Sequence, residues 1–412
     1  MQQRTQPARS SSPDRRSRRT DNFERVALVL QGGGALGAYQ AGVYQALDEA
    51  GIEPDWVAGI SIGAINAALI VGNPPRQRVA RLREFWELVC EPALALPLPG
   101  WPLDAPFGAE GRTRDWTSFA HAARSLVQGQ LGFFVPRVPP PWARLGGDPG
   151  ATSFYDTAPL AATLARLVDF GRVNAGAMRL AVGAVNVDTG NFIYFDSAHA
   201  PLGVAHVMAS SALPPGFPAV ELDGARYWDG GSVSISPREY VLEAEPRCDT
   251  LAFQVDLWSA RGPAPQSLLD VFEREKDIRF SSRTRRDTDA LAGRQRLRRA
   301  IGAALARLPA PLRDEPALAP LRELAGTKVM NIVHLIYQGK AHEGYAKDYE
   351  FSRARMEAHW RAGLEDSRRT LAQPGVLDRP SAEIGVVTHD VHRIVDPGSR
   401  AGRAHGATAQ GA

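Results

Sequence analysis

Ser61 lies at the centre of Gly59-Ile60-Ser61-Ile62-Gly63, with the apolar run Trp56-Val57-Ala58 before it and the small residues Ala64-Ile65-Asn66-Ala67-Ala68-Leu69 after it. That order reads as strand, sharp turn and helix. A serine on such a turn is held in a strained conformation with its hydroxyl exposed, and the flanking glycines let strand and helix cross. Ser61 is therefore a candidate nucleophile. A glycine-rich turn that merely contains a serine is the plainer alternative, and two further stretches bear on the choice.

The first is Gln31-Gly32-Gly33-Gly34-Ala35-Leu36-Gly37, which ends the β run Arg25–Leu30. A helix is expected to follow, with Tyr39, Val43, Ala46, Leu47 and Ala50 at helical spacing and Gly51 as its C-terminal cap. Glycines at a strand-to-helix junction leave backbone N–H groups free to face an anion. Such amides would stabilise the tetrahedral intermediate of acyl transfer by several kcal/mol. The stretch also fits Gly-x-Gly-x-x-Gly, the dinucleotide fingerprint, but that site wants an acidic residue at the end of the next strand. Here the next strand ends in Gly59-Ile60-Ser61, with Asp55 ahead of it. The second stretch is Ala225-Arg226-Tyr227-Trp228-Asp229-Gly230-Gly231. Its carboxylate could accept a serine proton if it came within about 3 Å, and the two glycines permit that approach. Alone, Asp-Gly-Gly is mostly turn chemistry.

In this order the three motifs resemble the patatin-like phospholipase family, over roughly Val26 to Val241. The resemblance implies a three-layer α/β/α fold with a mostly parallel central sheet and a Ser-Asp dyad in place of a triad. It makes Ser61 the nucleophile, Asp229 the base, and the Gly32, Gly33 and Gly34 amides the oxyanion hole. Gly37, Gly59, Gly63, Gly230 and Gly231 are the accompanying motif glycines. One departure lies at Leu36, where many members of the family carry Arg or Lys. No cofactor or metal is expected, because serine, carboxylate and amides suffice for acyl transfer.

The elements that must position these residues divide the chain as follows. Residues 1–24, with Arg4, Arg9, Arg15, Arg16, Arg18 and Arg19 among Ser, Gln and Pro, read as a disordered basic arm, and 393–412 as a disordered tail. A catalytic domain is expected over 25–258. Within it, 92–150 is an irregular, lid-like insertion rich in Pro, Trp and Phe, including Phe133, Phe134 and Trp142. Leu180–Val187 and Asn191–Phe195 read as a hairpin, Val204–Leu213 as a helix and Leu251–Leu257 as a buried strand. Ser210 and Ser211 are candidates for the cleft near Asp229, or for plain packing. An extension over 265–392 is expected to pack on the catalytic domain, with helix from Leu268 to about Leu308, a strand at Val329–Tyr337 and a helix at Phe351–Leu371. Its basic stretch, Arg279, Arg283, Arg286, Arg294 and Arg298, reads as a solvated face.

A chain of 412 residues, 44% hydrophobic and 23% charged, can bury a sizeable core and has no apolar run of transmembrane length. Its net charge of +3 is too small to argue for nucleic acid. Two distant cysteines, Cys90 and Cys248, suggest a reducing compartment. His334, His342 and His359 follow Asp229, so the order Ser, acid, His of a triad is formally available. Against it, the elbow follows the first strand–helix unit. His342-Glu343 is a weak metal pair with no third ligand.

The expected function is hydrolysis of lipid acyl esters. Thioesters or hydroxyacyl esters on the same scaffold are one alternative, and a non-catalytic lipid-surface module is another. The expected partner is an acyl-ester substrate; the insertion's aromatics with Arg283 and Arg286 have two readings, contact with an anionic membrane from a cytoplasmic, peripheral position, or a cover over the cleft or a dimer contact. Oligomeric state is left open.

Overall fold

The computed structural model describes residues 20–93, 112–234, 236–281, 284–339 and 343–390. Most of the basic arm, part of the insertion, Arg283, His342 and the tail lie outside them, as does the side chain of Arg286. The strands are β1 (Arg25–Leu30), β2 (Trp56–Ile60), β3 (Val135–Pro136), β4 (Tyr155–Asp156), β5 (Arg179–Asn186), β6 (Phe192–Asp196), β7 (Val220–Leu222), β8 (Ala225–Asp229), β9 (Thr250–Asp256), β10 (Met330–Ile336) and β11 (Val386–Asp390). Among the described residues, one 9-stranded sheet runs in the order β11-β10-β9-β1-β2-β5-β8-β7, with β6 also on β5, while β3 and β4 pair separately. From β11 to β5 every pairing is parallel; β6, β7 and β8 join antiparallel.

Alternation along the strands explains the layers. Val26, Leu28, Leu30, Val57, Leu180, Val182, Leu251, Phe253 and Val255 belong to one apolar cluster, and the intervening Ala27, Val29, Trp56, Ala58, Ala181 and Ala252 to a second. Successive side chains of a strand point to opposite faces, so both faces of the sheet are covered, as a parallel sheet requires. Helices α1 (Ala38–Glu49) and α2 (Ile62–Val71) supply the first face, while Val241, Leu242 and Leu291 supply the second. The fold is a mixed α/β sandwich around a mostly parallel sheet.

The downstream region is part of these layers. β10 continues the sheet beyond β9. The helix Arg353–Leu371 lies on α1 with its backbone in contact: a Cβ on Gly42 would come within 2.0 Å of the Trp360 carbonyl, and one on Gly363 within 2.0 Å of the Tyr39 carbonyl. Trp360 Nε1 also donates to Gln45 at 2.6 Å.

Several expectations are corrected. The insertion is not wholly irregular, because Arg112–Gln128 is an α-helix in a stretch without proline. Order begins ahead of Arg25: Phe23 is in the core, and Glu24 pairs with Lys328 at 2.6 Å. Arg294 and Arg298 are not simply solvated, since both pair with Glu243 and Arg298 is buried. No described helix is long and apolar enough to cross a membrane.

Candidate active site

β2 ends at Ile60, and the chain turns at Ser61 with φ 59° and ψ −127° before α2 begins. A non-glycine residue there stores strain on the order of 1–3 kcal/mol, which its surroundings must hold. They do so through backbone. The Ser61 N–H donates to the Ser210 carbonyl at 3.1 Å and to Ser210 Oγ at 3.2 Å, and Ser211 Oγ donates to the Ser61 carbonyl at 3.2 Å. Ser210 Oγ in turn donates to the Gly183 carbonyl at 2.6 Å. The crossing of strand and helix leaves no room for side chains: a Cβ on Gly59 would lie 2.2 Å from the Gly63 carbonyl, and one on Gly63 2.4 Å from the Leu30 carbonyl. With its own amide engaged, Ser61 is left with a hydroxyl facing a cavity at the positive end of α2.

Asp229 reaches the same place through the sheet. β6 pairs with Ala181–Val185 and fills one edge of β5. β2 pairs with Arg179–Gly183 and β8 with Ala184–Asn186, so those two strands must share the other edge. They run toward each other and meet end to end, with Ile60 opposite Gly183 and Asp229 opposite Ala184. Gly230 and Gly231 turn the chain away behind Asp229, and the Gly231 amide donates to Asp229 Oδ1 at 2.7 Å. The other oxygen, Oδ2, is buried without a formed hydrogen bond. Burial drives the Asp229 carboxyl up to about 7, while the nearby Ser61 hydroxyl and the Gly231 amide pull against that rise. A serine–base contact that is loose without substrate and tightens with it is common at such sites.

The glycine stretch follows β1 on the neighbouring strand end. Gln31 and Ala35 spend their amides on the Val255 and Asp348 carbonyls at 3.2 and 2.9 Å. Between them, the Gly32, Gly33 and Gly34 amides donate to no group among the described residues. Trp258 Nε1 holds the Gly32 carbonyl at 3.0 Å, and Gln31 Oε1 accepts the Leu257 amide at 2.5 Å. Gly34 has φ 56°, and a Cβ on it would lie 2.3 Å from the Asp348 carbonyl, so only glycine fits. Gly37 packs on Ile62, at the start of α2.

Ser61, Asp229 and Gly32–Gly34 line one cavity of 590 Å³. Its walls are mainly apolar and aromatic, with Ile65, Leu126, Phe133, Phe134, Phe217 and Phe351 among them. Phe133 and Phe134 are each 5% exposed and pack against the Phe217 and Phe351 rings, so they are cavity wall rather than membrane-facing side chains. Trp142, in contrast, is 77% exposed. Of the serine pair, Ser211 lines the cavity while Ser210 is fully buried beneath the elbow.

No histidine lines this cavity among the described residues. His334 is buried against Asp256 at 2.6 Å and His359 against Glu343 at 3.1 Å. Glu343 is further taken up by the Tyr337 hydroxyl. No group of three or more metal-binding side chains occurs among the described residues.

Sequence reasoning missed three residues of the site, Trp258, Lys276 and Asp348. Trp258 had a signal, because it stands just past the carboxyl end of a buried parallel strand, where α/β folds place their sites. Asp348 and Lys276 had none.

Comparison with known proteins identifies the family. A model of the patatin-like phospholipase family matches residues 28–242, and a second model, described as patatin phospholipase, matches 278–383. The chain belongs to the patatin-like phospholipase family. Patatin-like phospholipase domain-containing protein 6 of Mus musculus is 41% identical over 78 residues, which is 18% of this chain and 6% of that protein. Lysophospholipase nte1 of Aspergillus terreus is 61% identical over 44 residues, 11% of this chain and 3% of that protein. The chain thus spans only a small part of the length of these relatives. The crystal structure of VipD from Legionella pneumophila is similar with a TM-score of 0.37 at 16% identity, covering 86% of this chain and 67% of that one. At the position where many members of the family are basic, Leu36 is fully buried in the hydrophobic core. Lys276, a buried cation, lines the cavity together with the glycine loop.

Proposed function

We propose that this member of the family hydrolyses acyl esters of lipids through Ser61 and Asp229. The observation that carries the proposal is the convergence, in one apolar cavity, of a strained serine, a buried carboxylate and three unengaged amides. Asp229, ionised, takes the Ser61 proton as Oγ attacks the ester carbonyl. The carbonyl oxygen becomes an oxyanion, which the Gly32, Gly33 and Gly34 amides receive. Collapse expels the alcohol, which takes the proton from Asp229, and leaves an acyl-Ser61 ester. Water then attacks the acyl-Ser61 carbonyl and gives a proton to Asp229; collapse breaks the bond to Ser61 Oγ, which takes that proton back, and the free acid departs.

The aromatic and aliphatic walls suit a hydrocarbon chain. Leu126, Phe154 and Leu213 both line the cavity and stand 43%, 43% and 41% exposed, an apolar rim suited to a peripheral position on a lipid surface. On this view residues 25–258 and 265–392 act as one catalytic unit, working from the cytoplasmic side of an anionic membrane. The test is turnover of phospholipids, lysophospholipids, acylglycerols and acyl-CoA, with fluorophosphonate labelling located by peptide mapping. Labelling at Ser61 and ester turnover that Ser61→Ala abolishes are expected. Turnover retained by Ser61→Ala would sink the proposal, and a preference for acyl-CoA would make the enzyme a thioesterase.

A further inference from the structure

Helix Leu268–Phe280 and the loop 343–351 meet beside the glycine stretch through buried charge. Lys276, 7% exposed, donates from Nζ to Asp348 Oδ1 at 2.5 Å and to the Tyr345 carbonyl at 3.4 Å. Its ammonium also stands 4.5 Å from the centre of the Tyr349 ring and 4.7 Å from that of Tyr345. On the same helix, Asp277 next to Lys276 and Glu273 one turn before it hold Lys347 at 2.6 and 3.3 Å. Two lysines and three carboxylates thus fasten loop to helix. Lys276 and Asp348 both line the cavity.

What this fastening fixes is a main-chain atom. The Asp348 carbonyl accepts the Ala35 amide at 2.9 Å and lies where a Cβ on Gly34 would be. Ala35 is the residue at which the loop's amides stop facing the cavity. Without an acceptor there, its N–H would be a fourth unpaired donor, and the loop would be free to rotate toward another acceptor. A buried ion pair is weak evidence for stability, yet it specifies one arrangement when both charges are hydrogen-bonded.

We propose that Lys276 and Asp348 are positioning residues for acyl transfer: the pair fixes the Asp348 carbonyl, which fixes Ala35 and with it the Gly32–Gly34 amides. The downstream region, on this account, completes the oxyanion hole. The proposal rests on the hydrolase reading and deepens it. Burial pushes the Asp348 carboxyl above the usual range and Lys276 pulls it back, so removing the lysine favours a neutral, reoriented acid.

The experiment compares wild type, Lys276→Met, Lys276→Arg and Asp348→Asn in the full chain, on a soluble short-chain ester, with hydrogen exchange of the segment 31–37. Displacing catalytic donors by about 1 Å is expected to lower kcat about 10- to 100-fold. Lys276→Met and Asp348→Asn should do so with KM nearly unchanged, Lys276→Arg should recover much of the loss, and the double variant should be little worse than either single one. Exchange at 31–37 should quicken while β1 and α1 stay protected, which separates the effect from unfolding. Wild-type kcat in both neutral variants, or a rise in KM alone, overturns the positioning role. So does a general loss of protection in both. A wild type that neither turns over ester nor labels at Ser61 refutes the hydrolase reading instead.

Discussion

Ile60 and Asp229 face consecutive residues of one strand, Gly183 and Ala184. Two strands that share an edge of β5 and run toward each other bring a serine at the end of one toward a carboxylate at the end of the other. The segment 210–212 ties the two ends together, since the Ser61 amide donates to the Ser210 carbonyl and the Asp229 amide to the Ala212 carbonyl.

Ser61→Ala and Asp229→Asn should each lower kcat on esters by at least about 1,000-fold, and the double variant should be no worse, because the pair acts as a unit. His334→Gln and His359→Gln should keep kcat and lower Tm, since each removes one buried contact to a carboxylate, Asp256 or Glu343. Steady-state kinetics with thermal melts distinguishes the two classes. A histidine variant as inactive as Ser61→Ala would restore the triad.

The pH profile follows from burial. In the proposed role of Asp229 as base its carboxylate must be ionised, so kcat/KM should fall about tenfold per pH unit below about 7, the value to which Asp229 is driven. Stability runs the opposite way. Between the ordinary value of 3.8 and about 7 the folded state holds a proton that the unfolded state has lost, so stability declines as pH rises through that window. The whole effect is roughly 4 kcal/mol, since each tenfold change in proton affinity is worth about 1.4 kcal/mol. Asp229→Asn should therefore melt higher than wild type at about pH 8, while the two melt alike near pH 4. An Asn variant less stable at both would mean that the carboxylate is not destabilised by burial.

Phe133→Ser with Phe134→Ser should lose activity equally on vesicles and on a soluble ester, because both rings are wall. Phe134→Trp, which adds volume inside, should shift the preferred acyl chain toward shorter lengths. Chain-length series on p-nitrophenyl esters test the second point, and an unchanged optimum would place the acyl chain elsewhere.

Leu126→Ser with Phe154→Ser probes the rim. These side chains are partly exposed, so the double variant should bind anionic vesicles several-fold more weakly while turnover of a soluble ester changes little. Vesicle sedimentation beside the soluble assay measures both. Undiminished vesicle binding would exclude this rim from the contact.

The parts of the site legible in the sequence are those written locally. The elbow at Ser61 and the glycine run at 32–34 announce themselves because a tight turn restricts the residues around it. Asp229 was legible only as a third motif in a known order; its arrival beside Ser61 depends on strand register, to which no short stretch testifies. Phe133 and Phe134 stayed open between two placements for a similar reason, since an apolar aromatic pair in an insertion looks the same whether it faces lipid or lines a cavity. The helix at Arg112–Gln128 was masked by the prolines on both sides of it. Lys276 and Asp348 lay beyond reach, because what matters at Asp348 is a carbonyl oxygen that every residue possesses.

The order of strands in the sheet also bears on how the protein is made. β1 emerges first from the ribosome yet lies between β2 and β9, and its Gly32 carbonyl waits for Trp258, 226 positions later. The acceptor for Ala35 emerges later still. Contacts of such sequence separation form slowly and late. A nascent chain therefore presents Ser61 and the glycine loop long before Trp258 and Asp348 arrive to fix that loop.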